Sequence, residues 1–148
     1  MKEADFTVTF TADKSPNEVF DAIKDVRGWW SGEIAGDAAQ LGAEFTYRYK
    51  DMHQSTQKVT ELEPGKKIVW HVLDAVLSFL GNQGEWKGTD IVFELAPKGA
   101  KTEVRFTHVG LSASCECYEA CSRGWTALIK DNLQRLVSTG KRQPDAFA

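Results

Sequence analysis

The stretch that decides the fold is SRGWTALIKDNLQRLVSTG, Ser122–Gly140. Its apolar residues recur at helical spacing and Gly140 is a typical stop signal, so the pattern predicts an amphipathic helix from about Ser114 to Thr139. A helix with one apolar face needs another surface to cover that face. The apolar stripe consists of Trp125, Leu128, Ile129, Leu133 and Leu136.

The chain preceding this helix begins with the alternating segment FTVTFTA, in which Phe6, Val8 and Phe10 share one face. Such alternation is typical of a half-buried strand. A short helix is predicted next, because Ser15 is a suitable N-cap and Pro16 suits the first helical position. The sequence therefore opens with a strand and a helix.

About five consecutive strands are predicted after a loop at residues 34–41. They read AEFTYRYK, STQKVTELE, IVWHVLD and the hairpin DIVFELAPKGAKTEVRFTHVG. Between them, AVLSFLGNQGEWKGTD is ambiguous, because its apolar half could extend a strand while its glycines suggest an open loop. Consecutive strands joined by turns predict an antiparallel sheet and an α+β fold, which the C-terminal helix is long enough to cover. We expect one domain over residues 1–148, with a core at about 5–139.

Composition excludes several classes of protein. The chain has 148 residues and a formal net charge of -3, which argues against a nucleic-acid binder because such proteins carry a basic stripe. No segment approaches the roughly 18 apolar residues that would span a bilayer, and the charged N-terminus does not resemble a signal peptide. We expect a cytoplasmic protein with no membrane span.

The order of these segments resembles the START-like (SRPBCC, helix-grip) superfamily. Within it, the chain is most similar to the family related to the C-terminal domain of the activator of the heat-shock protein 90 ATPase. The resemblance covers about Asp5 to Val137. It is carried by SPNEVFDAI, the pair Trp29–Trp30, TYRY, ELEPGKKIVWHV, TEVRFTHVGL and GWTALIKDNLQRL.

The resemblance implies a curved antiparallel sheet wrapped around the long C-terminal helix. It also implies a binding function, since single-domain members are viewed as stress-related or small-molecule binding proteins. The related eukaryotic co-chaperone has a separate N-terminal domain, which we do not expect in this chain. We therefore expect a small apolar or aromatic ligand in a sheet–helix cavity. Binding to an Hsp90-type chaperone, a cyclase- or hydratase-like activity inside the cavity and a homodimer remain alternatives.

The candidate ligand-binding residues are aromatic or apolar side chains expected to face inward. Large amphipathic rings suit a pocket with few polar groups, and five tryptophans in 148 residues is a high number. Trp29 and Trp30 are expected near the cavity mouth. The full set is Trp29, Trp30, Phe45, Tyr47, Tyr49, Trp70, Val72, Trp86, Phe93, His108, Trp125, Leu128 and Ile129.

Neither metal nor cofactor is predicted. Cys115, Cys117 and Cys121 are local, and the histidines that could complete a zinc site are scattered over strands. Cys121 is expected to face the sheet as a small apolar residue, and Cys115 could be reactive if the helix N-terminus lowers its pKa. Acid–base roles are an alternative for three polar residues that could reach the cavity. They are Glu85, Asp90 and His108.

Overall fold

The computed structural model describes residues 5–30, 33–49, 53–77, 84, 86–113, 115 and 118–140. Its strands form one curved sheet in which every neighbouring pair is antiparallel, in the order β1-β7-β6-β5-β4-β3-β2. The α+β class and the antiparallel sheet are therefore confirmed. The strands are β1 (Phe6–Ala12), β2 (Glu33–Gly36), β3 (Glu44–Tyr49), β4 (His53–Glu63), β5 (Lys67–Leu77), β6 (Asp90–Lys98) and β7 (Lys101–Val109).

A long C-terminal helix accompanies this sheet, as predicted, and it changes geometry along its length. It comprises α2 (Tyr118–Thr126), a π-helical segment (Ala127–Leu133) and α3 (Gln134–Thr139), and Gly140 ends it in the left-handed conformation with a φ of 75°. The predicted start at Ser114 lies outside the described residues, and the described helix begins at Tyr118.

The first helix, α1 (Pro16–Lys24), follows β1 and is capped as its sequence predicts. The Ser15 Oγ accepts a hydrogen bond from the Glu18 backbone N–H at 3.2 Å. A 3₁₀ turn (Val26–Gly28) then leads to Trp29 and Trp30. This turn is tied to the C-terminal helix, because the buried Asn132 Nδ2 donates to the Trp29 carbonyl at 2.9 Å.

The loop predicted at residues 34–41 is wrong in part, because Glu33–Gly36 form the edge strand β2. This strand is short and pairs only with β3, so its own alternation is too brief to read. The Arg27 guanidinium stabilises it by donating to the carbonyls of Ile34 and Gly36, at 3.1 and 2.7 Å. The ambiguous segment after residue 74 does extend a strand, since β5 runs to Leu77.

The core lies between the sheet and the helices. It includes side chains from every strand except β2 and from all the helical segments. Within the part of the chain that the structure describes, no helix is both long and apolar enough to cross a membrane.

Candidate functional site

The site is a cavity of about 320 Å³ between the C-terminal helix and the β3–β4 side of the sheet. Its volume lies at the lower end of the range for small-molecule pockets, roughly 300–1,000 Å³. The wall is mainly apolar and aromatic. Its described lining residues are Trp30, Tyr47, Tyr49, His53, Trp86, Ala120, Cys121, Gly124, Trp125 and Leu128.

Small residues on α2 leave the space open. Ala120, Cys121 and Gly124 line the cavity within one turn of the helix, where larger side chains would reach towards the sheet. Leu128, one turn further along, contributes the first large aliphatic side chain. The glycine directly before Trp125 is thus part of the cavity wall. Because it has no side chain, Gly124 leaves space between the helix and the sheet.

The aromatic walls are held by ring–ring contacts. Trp30 stacks on Tyr47 with ring centroids 4.3 Å apart, and Trp86 stacks on Trp125 at 5.6 Å with an angle of 10° between planes. Trp30 also contacts Trp125 at 5.1 Å, which joins the two stacks. Such pairs stabilise each other by about 0.5–1.5 kcal/mol beyond area burial. The walls are consequently set before any ligand arrives.

His108 lies outside the cavity wall and holds two of these tryptophans, Trp125 directly and Trp86 through Thr89. The Trp125 Nε1–H donates to His108 Nδ1 at 3.0 Å. Because an indole nitrogen can only donate, the proton of the neutral imidazole lies on Nε2, which donates to the Thr89 hydroxyl at 2.8 Å. That hydroxyl in turn donates to the Trp86 carbonyl at 2.6 Å. One directed chain of hydrogen bonds therefore holds Trp125 and the Trp86 backbone together.

His53 contributes a polar group on the cavity wall. Its ring lies edge-to-face against Tyr47 and Trp86, with centroid distances of 5.0 and 4.5 Å. Its Nε2 is 3.0 Å from the Ser55 Oγ, which is 2.5 Å from the Gln57 Nε2. Ser55 and Gln57 are both buried. A short polar strip thus runs from the cavity wall into the interior along β4.

Both inward histidines are uncharged at neutral pH. Burial lowers the pKa of His53 from its ordinary value to about 4. Burial, and to a smaller degree the charge of His53, lower the pKa of His108 to about 3. Since desolvation disfavours the charged imidazolium, each ring offers hydrogen bonds and no charge.

The predicted site residues divide into two groups. Six of them line the cavity: Trp30, Tyr47, Tyr49, Trp86, Trp125 and Leu128. The others are fully buried and do not belong to its described wall. They are Trp29, Phe45, Trp70, Val72, Phe93, His108 and Ile129.

The expected position of Trp29 at the cavity mouth is wrong. Its side chain has no exposed surface, its Nε1 donates to the Ile23 carbonyl at 3.2 Å, and its ring stacks on Trp70. Trp30 is also buried, yet one part of its ring reaches the cavity wall. The backbone turn at this pair directs the two rings to different depths.

Four lining residues were not among the predicted ones: His53, Ala120, Cys121 and Gly124. Cys121 does face the sheet, as expected. His53 was overlooked because the inward face of β4 carries polar residues, Ser55 and Gln57, so the strand lacks a clear apolar alternation. The three helix residues could have been found as the small-residue end of the apolar stripe.

The other polar candidates lie elsewhere. Asp90 does not reach the cavity mouth, because its Oδ1 pairs with the His71 Nδ1 at 2.8 Å on the opposite face of the sheet from Trp70. The Cys115 thiol donates to the Gly110 carbonyl at 3.3 Å, and Glu85 and Cys117 lie outside the described residues. Among the described side chains, no group of three His, Cys, Asp or Glu could hold a metal ion.

Comparisons with known proteins agree with this fold. A family model described as "Activator of Hsp90 ATPase homolog 1-like protein" matches residues 13–138. The solution structure of the Aha1 dimer from Colwellia psychrerythraea is similar, with a TM-score of 0.74, 25% identity and coverage of 93% of this chain and 98% of that chain. No match is found among proteins of curated function.

Two further solved structures show the same fold at lower identity. Bacillus halodurans protein BH1534 has a TM-score of 0.67 at 18% identity, and the match covers 93% of this chain and 100% of that chain. CalU16 from Micromonospora echinospora has a TM-score of 0.63 at 18% identity, and the match covers 90% of this chain and 76% of that chain.

Proposed function

The chain belongs to the family of Activator of Hsp90 ATPase homolog 1-like proteins, and we propose that it binds a small apolar or aromatic molecule in the sheet–helix cavity. The observation that carries this proposal is the wall of the cavity. Three of the five tryptophans and two of the three tyrosines line one space of about 320 Å³. An apolar pocket with a few polar groups is the usual form of a small-molecule site.

Binding would be driven by removing ligand surface from water, at roughly 25 cal/mol per Å² of apolar area. The stacked rings are already in place, so little ordering of the walls opposes binding. A fully packed interior would have left no such space, since protein cores are as dense as organic crystals. The cavity is therefore the feature that a purely structural role leaves unexplained.

The direct test is a titration of tryptophan fluorescence with lipids, flavonoids and polyketide-like aromatic compounds. Because Trp30, Trp86 and Trp125 line the cavity, a bound compound should quench or shift their emission. Cys121→Phe should fill the cavity and abolish the response. Thr126→Phe adds the same ring at an exposed position of the same helix and should leave the response intact. A panel with no responding compound would contradict the proposal.

Cysteine alkylation provides an independent readout. Cys121 is a buried residue of the cavity wall, whereas Cys115 lies outside the wall and is partly exposed. A ligand in the cavity should slow alkylation of Cys121 and leave the rate at Cys115 unchanged, as measured by peptide mass spectrometry. Equal protection of both thiols would indicate a global effect and would contradict binding in the cavity.

A second candidate function is binding to an Hsp90-type chaperone, which the family name favours. Among the described residues, the exposed large apolar side chains are Leu41, Leu73 and Val76. The test is the ATPase rate of a purified Hsp90-type chaperone with and without this chain. An increase that survives Cys121→Phe would assign that function to the outer surface.

A reaction inside the cavity is a third candidate, favoured by the titratable ring of His53 on its wall. A pKa of about 4 makes this imidazole a weak base at neutral pH, which limits general-base catalysis. Mass spectrometry of each binding compound after incubation with the protein would detect conversion. An unchanged compound would favour the binding function.

A further inference from the structure

The polar strip on β4 constrains which ligand the cavity accepts, an inference that rests on the proposed binding function. His53 is the end of this strip that reaches the cavity wall, with Ser55 and Gln57 buried behind it. A polar side chain set between two aromatic walls is the feature that orients a ligand in an otherwise apolar pocket. His53 was absent from the residues predicted from sequence.

The hydrogen bonds of the polar strip determine which nitrogen of His53 carries the proton. In the amide orientation of the structure, the Gln57 Nε2–H donates to the Ser55 Oγ, and the buried Gln57 Oε1 has no partner among the described residues. Ser55 is buried and its only other described partner is the His53 Nε2, so its hydroxyl donates there and avoids an unpaired buried donor. The neutral ring of His53 then carries its proton on Nδ1. Within the described part of the chain, no residue bonds Nδ1, which leaves an N–H donor for a ligand.

The second constraint is charge. None of the described lining residues is a lysine, arginine, aspartate or glutamate. His53 supplies no positive charge at neutral pH either, because burial lowers its pKa to about 4. Burying a carboxylate without a cationic partner is costly, whereas a carbonyl oxygen needs only one donor.

We propose that His53 is a specificity-determining residue that donates from Nδ1 to a neutral carbonyl oxygen, so that the cavity selects uncharged aromatic carbonyl compounds over aromatic carboxylates. The ring plane of the ligand lies between the aromatic walls, where Trp30 and Tyr47 stack on one side and Trp86 and Trp125 on another. The carbonyl points towards β4.

Three ligands of one shape test this assignment: 2-acetylnaphthalene, 2-ethylnaphthalene and 2-naphthoate. Affinities are measured at pH 7 from the shifts of the indole N–H signals in NMR titrations. The ketone should bind about fivefold more tightly than the ethyl compound, as expected for one net hydrogen bond. The carboxylate should bind at least about tenfold more weakly than the ketone, because its charge has no partner.

Variants at His53 isolate the role of its N–H. His53→Phe keeps a ring of similar shape and should abolish the preference for the ketone, so that the ketone and the ethyl compound bind this variant with equal affinity. His53→Asn places an amide N–H near the position of Nδ1 and should restore part of the preference for the ketone. The indole N–H signals of each variant, recorded without ligand and compared with those of the unaltered protein, show that the variant is folded.

The outcomes separate this proposal from the binding function itself. If none of the three compounds binds, both proposals fail for naphthalene-sized ligands. If the ketone and the ethyl compound bind equally to the unaltered protein, or the carboxylate binds as tightly as the ketone, the cavity still binds ligands and the role of His53 is wrong. A ketone preference that survives His53→Phe would also overturn the assignment.

Discussion

The two ends of the interface between the sheet and the C-terminal helix are built from the same kinds of residue and differ in whether they are full. At the filled end, Trp29, Trp70 and Phe93 pack together with centroid distances of 4.9–6.3 Å. At the open end, Trp30, Tyr47, Trp86 and Trp125 surround a cavity. Aromatic content alone therefore does not decide whether a region is core or site.

The difference arises from the helical side of the interface. At the filled end, α3 and the 3₁₀ turn approach so closely that a Cβ on Gly28 would lie 2.9 Å from the Leu136 Cδ2 and 2.7 Å from the Asp25 Oδ2. At the open end, the helix presents Ala120, Cys121 and Gly124. Small residues above a wall of large rings leave a volume that the sheet cannot fill.

Truncating a ring at each end should give the largest contrast in stability. Trp70→Ala removes a fully buried ring with packed neighbours and should lower the free energy of unfolding by about 3–5 kcal/mol. Trp86→Ala should cost less than Trp70→Ala, since part of its ring already faces the cavity. Urea denaturation of both variants checks this order, and equal losses would contradict the division into two ends.

Acid should destabilise the open end through its two buried histidines. Their pKa values are lowered in the folded protein to about 4 and about 3, so the unfolded state binds more protons below the ordinary histidine pKa. The stability that this provides is complete above about pH 6.5 and is lost as the pH falls towards the folded values. The expected slope is on the order of 1 kcal/mol per histidine for each pH unit.

This pH dependence is measured by urea denaturation between pH 7 and pH 5. His108→Gln keeps an acceptor for Trp125 and a donor for Thr89 and should reduce the slope. His71→Gln removes a half-exposed histidine on the other face and should leave most of the slope in place. A slope that His108→Gln does not change would show that His108 does not control the acid response.

One added methyl group at each end should have opposite effects. Gly28→Ala forces a Cβ against Leu136 and Asp25 and should destabilise the protein by about 1–3 kcal/mol. Gly124→Ala adds a methyl to a helix position on the cavity wall and should stabilise it by up to about 1 kcal/mol through helix propensity. Thermal unfolding of the matched pair gives both values, and a destabilising Gly124→Ala would indicate that this end is also full.

The smallest expected effect concerns α1, which contributes Val19, Phe20 and Ile23 to the core. Ser15→Ala removes the side chain that accepts from the Glu18 N–H and should cost about 1 kcal/mol of stability. Ser15→Asp keeps an accepting oxygen and serves as the control. Ligand binding at the open end should be unaffected by either change, and weakened binding would show that α1 also shapes the cavity.

The sheet could be predicted largely from the sequence because its inward residues alternate clearly in β1, β3, β6 and β7. The edge strand β2 could not be predicted, because its four residues are too few to show a periodic pattern. It is also stabilised by Arg27, which lies outside the strand and donates to two of its carbonyls. The π-helical segment Ala127–Leu133 was equally hidden, since its apolar spacing also fits an α-helix.

The cavity was predicted as a class of site, but its wall was not. The sequence indicates that Trp29 and Trp30 are inward and apolar, yet only packing shows that the first is in the core and the second reaches the pocket. His53 shares its face of β4 with the polar residues Ser55 and Gln57, so apolar alternation does not identify this face as inward. Volume depends on residues distant in sequence, and local patterns do not encode it.

The most direct test uses the five tryptophans as reporters in one experiment. Each indole N–H gives its own signal in a ¹H–¹⁵N correlation spectrum, and 2-acetylnaphthalene can be titrated against all of them together. The signals of Trp30, Trp86 and Trp125 should shift, because these rings line the cavity, while those of Trp29 and Trp70 should stay in place. Signals that all remain fixed, or that shift equally at both ends, would contradict a ligand site confined to the open end.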